Sequence, residues 1–344
     1  FKGSWLVYWL TQMGAKVIGY SKEVATNPNH IDLLNLDIIS LIGDIRDQDK
    51  LNKTFEDFKP EIVFHLAAQP LVRYSYDNPI ETYETNVIGT LKVLEACKKH
   101  HVKAIVNITS DKAYENKEFT RGYKETDRLG GYDPYSSSKG CADLLVNSYR
   151  NSFLNPKDYN KSHNTLLSSC RAGNVIGGGD WAKDRLISDT VVAASQGKKV
   201  SIRNPNATRP WQHVLEPLSG YLQVGEKLLK GKVKFGDAWN FGPSHEVSMT
   251  VEQIVKNLKN YWNDIDYEFN TNSNQPHEAC LLKLDCSKAC TILKWHDVWD
   301  SKKTLEKTLE WYKLFYKEQK ANTNLDLHDY VKDATKKRLT WTVS

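Results

Sequence analysis

Apolar and polar positions follow two alternating periods along most of the chain. Residues 3–13 carry Trp5, Leu6, Tyr8, Trp9 and Leu10 at helical spacing and stop at Gly14, a residue suited to the position just past a helix end. Short apolar, partly β-branched runs over 15–20, 36–42, 61–66, 102–109 and 166–171 read as strands. Between them 51–58 and 83–99 are predicted helices, the second turning Val87, Leu91, Leu94 and Ala96 inward. A further helical pattern follows Tyr135 and runs to Arg150. Strand and helix in alternation predict a parallel, doubly wound sheet. A helix before the first strand predicts one more strand upstream of Phe1, and the abrupt opening without Met is expected to be a truncated start.

After Asn151 the pattern loosens into a polar insertion over 155–164. Beyond the strand ending at Arg171 the elements are shorter and more mixed, with helices predicted over 184–196, 216–229, 251–261 and 302–320. The expected fold is α/β: a Rossmann-type doubly wound parallel sheet over 1–174, with a smaller mixed α/β substrate-binding lobe over 175–320 interleaved with it. Residues 321–344 read as a C-terminal tail, and 326–344 are polar enough to be expected poorly ordered.

Composition narrows the class. A chain of 344 residues with 40% hydrophobic content can bury a sizeable core, which excludes disorder. The net charge of +5 is spread along the chain, with no basic block interleaved with aromatics, so nucleic-acid binding has no support. Cys97, Cys141, Cys170, Cys280, Cys286 and Cys290 form no Cys-x-x-Cys pair and have no His at zinc spacing. They read as reduced thiols of a cytoplasmic protein without a metal. No apolar run reaches membrane-spanning length.

Candidate chemistry sits at the end of the 102–109 strand. Ser110-Asp111-Lys112 follow it at the carboxyl edge, where open α/β sheets bind ligands. Tyr135 and Lys139 stand four apart at a helix start and so share one face. A free phenol has a pKa near 10; a neighbouring cation lowers it and lets Tyr135 act as a base towards a hydroxyl. The competing reading is a packing tyrosine with a solvated helix lysine.

Phe1-Lys2-Gly3, Asp44-Ile45, Leu66-Ala67-Ala68, Asn86, Ser110-Asp111 and Tyr135-x-x-x-Lys139 stand in an order that resembles the extended short-chain dehydrogenases/reductases, to about Lys320. Gln69-Pro70-Leu71-Val72-Arg73, Thr109-Ser110-Asp111-Lys112 and the run from Arg171 to Trp181 resemble the nucleotide-sugar 4,6-dehydratases within that superfamily. So do the run from Asn204 to Val214, Pro276-His277-Glu278-Ala279 and the run from Leu284 to Lys288. Lys112 stands where the dTDP-glucose branch carries Glu, which matches the CDP-glucose branch. Ser21 follows the first strand in place of the acid that binds an NAD ribose, so NAD comes from the resemblance alone.

The resemblance implies NAD held by Gly3, Asp44, Ile45, Leu66, Ala67, Ala68, Asn86, Tyr135 and Lys139. It implies CDP-glucose contacted by Arg73, Asn174, Arg209 and His277, and a homodimer packed through the 83–99 and Tyr135 helices. The implied reaction is oxidation at position 4 with Tyr135 as base and Ser110 on the 4-oxygen. Water then leaves across positions 5 and 6, with Lys112 as base and Asp111 as acid, and hydride returns to position 6. Lys112 acting only to orient the sugar stays open. So do structural pairing for Arg73, a surface ion pair for Arg209, a loop hydrogen bond for His277, and core packing for Trp181 and Trp211. The Gly177-Gly178-Gly179 run either admits a ligand or only forms a turn, and His65 reads as a satisfied near-core residue. A nucleotide-sugar epimerase and a non-catalytic nucleotide-binding protein are the alternatives. Without upstream glycines the pyrophosphate loses its helix cradle, so the chain as written is expected to bind NAD poorly.

Overall fold

The structure is a computed structural model and describes residues 1–243, 249–270 and 281–342. In chain order the first half carries α1 Lys2–Gln12, β1 Ile18–Ser21, α2 His30–Leu34, β2 Ile39–Ile42, α3 Gln48–Phe58, β3 Ile62–His65, α4 Val72–Asp77 and α5 Pro79–Tyr83. A π turn at Glu84–Gly89 leads into α6 Thr90–Lys99, then β4 Ala104–Ile108, a 3-10 turn at Asp111–Ala113, α7 Pro134–Phe153 and β5 Leu166–Ala172. The second half adds β6 Val175–Ile176, α8 Leu186–Ser195, β7 Lys199–Ile202, β8 Thr208–Arg209, β9 Gln212–His213 and α9 Leu215–Leu229. It closes with β10 Ala238–Phe241, β11 Met249–Thr250, α10 Val251–Tyr261, β12 Asp266–Phe269, α11 Ser301–Glu318 and α12 Thr323–Lys336.

The central sheet is parallel in the order β10-β5-β4-β3. Every residue of β4 and β5 is buried, the polar Asn107, Ser168, Ser169 and Arg171 included. β10 comes from the second half of the chain, so the central sheet draws on both halves of the sequence. α9 covers that face, and Gly225 admits the packing: a Cβ there would lie 2.8 Å from Ile62 Cδ1. β1 and β2 form a separate parallel pair, Ile18 opposite Ile39, bonded to no other strand among the described residues. The lobe is built from the parallel pairs β7–β12 and β6–β9 and the antiparallel pair β8–β11. No helix among the described residues is long and apolar enough to cross a membrane.

Local chemistry accounts for the helix starts. Asp133 caps α7, accepting from Ser136 N at 2.9 Å and Ser136 Oγ at 2.6 Å, with Pro134 in the first turn. Thr250 and Gln253 form a reciprocal capping box on α10. The expected single helix over 83–99 is α5, the π turn and α6 instead. The turn carries Asn86 inward, where the Asn86 amide donates to Gln69 O at 3.1 Å and Ser138 Oγ at 2.8 Å.

The expected loose tail is a packed helix. In α12 Thr323, Leu327, Tyr330 and Ala334 are buried on one face against the main core, among polar residues that hide the stripe in composition. Tyr330 also donates to Glu216 at 2.8 Å.

Candidate active site

The strand β4 and helix α7 bring the catalytic candidates to one sheet edge. Thr109 N bonds Cys170 O at 2.9 Å, extending the β4–β5 pairing one residue. Ser110 then opens the 3-10 turn. Its Oγ donates to Asp111 Oδ1 at 2.9 Å and accepts from Lys112 N at 3.3 Å. Ser110 and Asp111 are buried and Lys112 is half-buried. Asp111 approaches the end of β5 because Gly173 has no side chain: a Cβ there would lie 3.3 Å from Asp111 Oδ2. Tyr135, buried in the first turn of α7, has its phenol beside the Ser110 hydroxyl and is fixed through its backbone N, which donates to Ser75 Oγ at 3.1 Å. Gly140 lets α7 sit on the turn, since a Cβ there would meet Gly130 O at 2.4 Å.

Burial dominates the electrostatics. It pushes the Tyr135 phenol up to about 12; the Ser110 hydrogen bond pulls it down, Asp111 pushes it up and Arg185 pulls it down. The expected depression by Lys139 is therefore not the controlling effect in the protein alone. Burial also lowers Lys139 to about 8, opposed by Asp143. Lys2 is lowered to about 8 by burial, Arg185 and Lys139, against Asp111 and Asp180. Lys2 thus shares the site with Lys139 and with Arg185, which is paired with Asp180 at 2.5 Å. Lysines at this edge suit the pyrophosphate of a dinucleotide, and the open space where a Cβ of Gly3 would stand leaves it room.

The cofactor-binding candidates divide by position. Asp44 is clasped by Arg46, with Nη2 at 2.7 Å and the backbone N at 2.9 Å, and Ile45 is buried against Leu51 and Phe55. Leu66, Ala67 and Ala68 follow β3 at the same sheet edge. Asn86 is fully buried, and its Oδ1 also accepts from Gln69 N at 2.8 Å, which ties the loop after β3 to α7.

Among the substrate-binding candidates, Arg73 lies 3.8 Å from Asp184, which Arg203 also binds at 2.7 Å. Asn174 accepts from Gln212 N through its backbone at 3.1 Å. Arg209 lies in β8 with its side chain outside the description, and His277 lies outside the described residues. Trp181 and Trp211 are buried in the main core, Trp181 donating to Tyr316 at 3.1 Å. His65 bonds Thr90 at 3.0 Å. Gly178 passes against the Trp311 ring, 2.0 Å from where a Cβ would stand, so this glycine serves packing.

Sequence reasoning missed Lys2, Arg185 and Asp143 as members of the site. Only Asp143 left a trace, standing four residues beyond Lys139 as Lys139 stands beyond Tyr135.

This sheet and this meeting of Ser, Tyr and Lys are those of the short-chain dehydrogenases/reductases. Within that class the chain belongs to the GDP-mannose 4,6 dehydratase family, whose model matches residues 1–308. It is 50% identical over 341 residues to the CDP-glucose 4,6-dehydratase of Salmonella typhimurium (strain LT2), covering 98% of this chain and 95% of that protein. The dTDP-glucose 4,6-dehydratase of Bacillus anthracis, solved in complex with NAD, superposes with a TM-score of 0.75 at 22% identity, over 92% of this chain and 95% of that one. The UDP-glucose 4-epimerase of Thermotoga maritima gives a TM-score of 0.78 at 22% identity, over 91% and 96%. These two likenesses concern the fold.

Proposed function

We propose that this chain is an NAD-dependent hydro-lyase that converts CDP-D-glucose to CDP-4-dehydro-6-deoxy-D-glucose. The observation that carries the reading is 50% identity, nearly end to end, with an enzyme of that name. The convergence of Ser110, Asp111 and Tyr135 on one sheet edge supplies the groups the reaction needs.

Tyr135 takes the proton of the sugar 4-hydroxyl while Ser110 holds the 4-oxygen in line. Arg185 supplies positive charge that favours the phenolate against its burial. NAD, which Tyr135 and Lys139 would hold together with the residues on the dinucleotide side, would supply the hydride acceptor for position 4 and the donor for position 6. The 4-ketone acidifies the hydrogen at position 5; Lys112 removes it and returns a proton there as hydride reaches position 6. Asp111, in its acid form, protonates the departing 6-hydroxyl, which leaves as water. The neighbouring Ser110 hydroxyl holds that carboxyl within the same turn. Arg73, Asn174, Arg209 and His277 are assigned to the nucleotide sugar, and Gly3, Asp44, Ile45, Leu66, Ala67, Ala68 and Asn86 to the dinucleotide side.

The protein acts as a cytoplasmic homodimer packed through α6, α7 and the segments beside them. The apolar side chains left exposed there support this: Ile80, Ile88, Leu144 and Phe153.

The test is incubation with NAD and, separately, CDP-glucose, dTDP-glucose and UDP-glucose, following the absorbance of the 4-keto product in alkali. Signal with CDP-glucose alone supports the assignment. An epimerised sugar without loss of water moves it to the epimerases.

A further inference from the structure

Asp143 has no step in the mechanism above, yet it lies buried directly behind it. Tyr135, Lys139 and Asp143 follow one another at four-residue steps on α7 and so share a face. The Asp143 carboxylate is 1% exposed and fully engaged. Oδ2 accepts from Thr109 Oγ1 at 2.7 Å and Arg171 Nε at 2.8 Å; Oδ1 accepts from Arg171 Nη2 at 3.1 Å and from Ser169 Oγ. Arg171, 4% exposed, also donates to Tyr114 Oη at 2.7 Å. A buried ion pair stabilises a fold little compared with apolar side chains of the same volume. Its place behind the Tyr–Lys pair calls for another use.

We propose that Asp143, held ionised and fixed by Arg171, is the positioning residue that keeps the Lys139 ammonium charged during the reaction, an inference that rests on the dehydratase reading. Lys139 is 7% exposed, and burial works against its charge. Of the groups that face it among the described residues, Tyr135 on α7 is a phenol and His65 on β3 is kept neutral by burial. Lys2 on α1 is a like charge. Asp143 is the anion whose field reaches the ammonium. Asp143 itself is faced by Arg171 and Cys170 on β5 and Arg150 on α7. Burial alone pushes its carboxyl up; Arg171, with the Ser169 and Thr109 hydroxyls, outweighs that and holds it below the usual carboxylate range. Arg171 therefore guarantees the anion, and the anion guarantees the ammonium. The bidentate grip also fixes where the field originates.

The test uses the NAD-loaded protein with carbon-13-labelled lysine, titrating the Lys139 ε-carbon by NMR and measuring the pH profile of kcat/KM alongside. In the double variant Asp143→Leu/Arg171→Met both buried charges leave together, so neither is stranded. Lys139 is expected to titrate about one pH unit lower than in the parent, with the alkaline limb of the profile displaced equally and activity at pH 8 reduced about fivefold. The single variant Asp143→Asn keeps the Arg171 charge and is expected to move Lys139 at least as far. An unchanged Lys139 titration in whichever of the two variants folds overturns the proposal. A shifted titration in a protein that dehydrates no sugar leaves the electrostatic claim standing and sinks the dehydratase reading instead.

Discussion

The Ser110 hydroxyl donates to the Asp111 carboxylate at 2.9 Å, across adjacent residues at the carboxyl end of β4. The residue assigned to the 4-oxygen is thus bonded to the one assigned to the 6-hydroxyl, and the same serine contacts Tyr135. Ser110→Ala removes both contacts at once. It is expected to lower kcat about a hundredfold with little change in KM, measured by steady-state kinetics on the nucleotide sugar. A change confined to KM contradicts the assignment.

Tyr135→Phe removes only the hydroxyl, since the backbone bond to Ser75 and the capping by Asp133 do not depend on it. Turnover is expected to fall about 10²–10⁴-fold while the thermal midpoint stays within a degree or two. Circular dichroism and product assay together check this.

Lys112→Met separates the two roles open to that residue. As the base at position 5, its loss stalls the reaction after oxidation at position 4, and the near-ultraviolet absorbance of reduced nicotinamide builds up on mixing with substrate. A variant that turns over normally but with raised KM shows that Lys112 only orients the sugar.

Gly140→Ala places a methyl group 2.4 Å from Gly130 O and 3.1 Å from Ala113 O, backbone atoms that cannot step aside cheaply. The start of α7 must then move off the turn carrying Asp111. A loss of roughly 1–3 kcal/mol in urea unfolding is expected, with a larger loss of activity. An unchanged variant shows that the contact between α7 and the turn is looser than it stands here.

Stability should depend on pH through buried groups that take no step in the chemistry. Glu216 accepts from the backbone N of Val298 and Trp299 and from Tyr330, tying α12 and the segment before α11 to α9. Burial pushes it up to about 8 against those three donors. A folded value above the unfolded one makes its contribution fully present below about pH 4.5 and lost as the pH rises to about 8. His30, His65 and His213 are held down to about 3 by burial, so their contribution is present above pH 6.5 and lost as the pH falls. Urea midpoints from pH 4 to 9 should therefore flatten on the alkaline side in Glu216→Gln. An alkaline slope identical to the parent's excludes this role.

Much of the scaffold is readable from periodicity. The predicted helix over 251–261 coincides with α10, and β4 and β5 stand where their apolar runs place them. The π turn at 84–89 is not readable, because Asn86 is drawn inward by partners at positions 69 and 138. α12 hides its apolar stripe among charges, and the attachment of β10 to β5 depends on tertiary packing rather than on local pattern. At the site, spacing brought out Tyr135 and Lys139 but not the sign of the phenol's displacement, since counting charges ignores burial. Asp143 reads as one more polar helix position until Arg171 is seen beside it.

The most direct measurement follows a deuterium atom placed at position 4 of CDP-glucose. With NAD bound, the label is expected in the 6-methyl group of the 4-keto product, with the cofactor unchanged at the end. Label returned to position 4 of an epimer, or lost to the medium, contradicts the internal hydride return on which the dehydratase assignment rests.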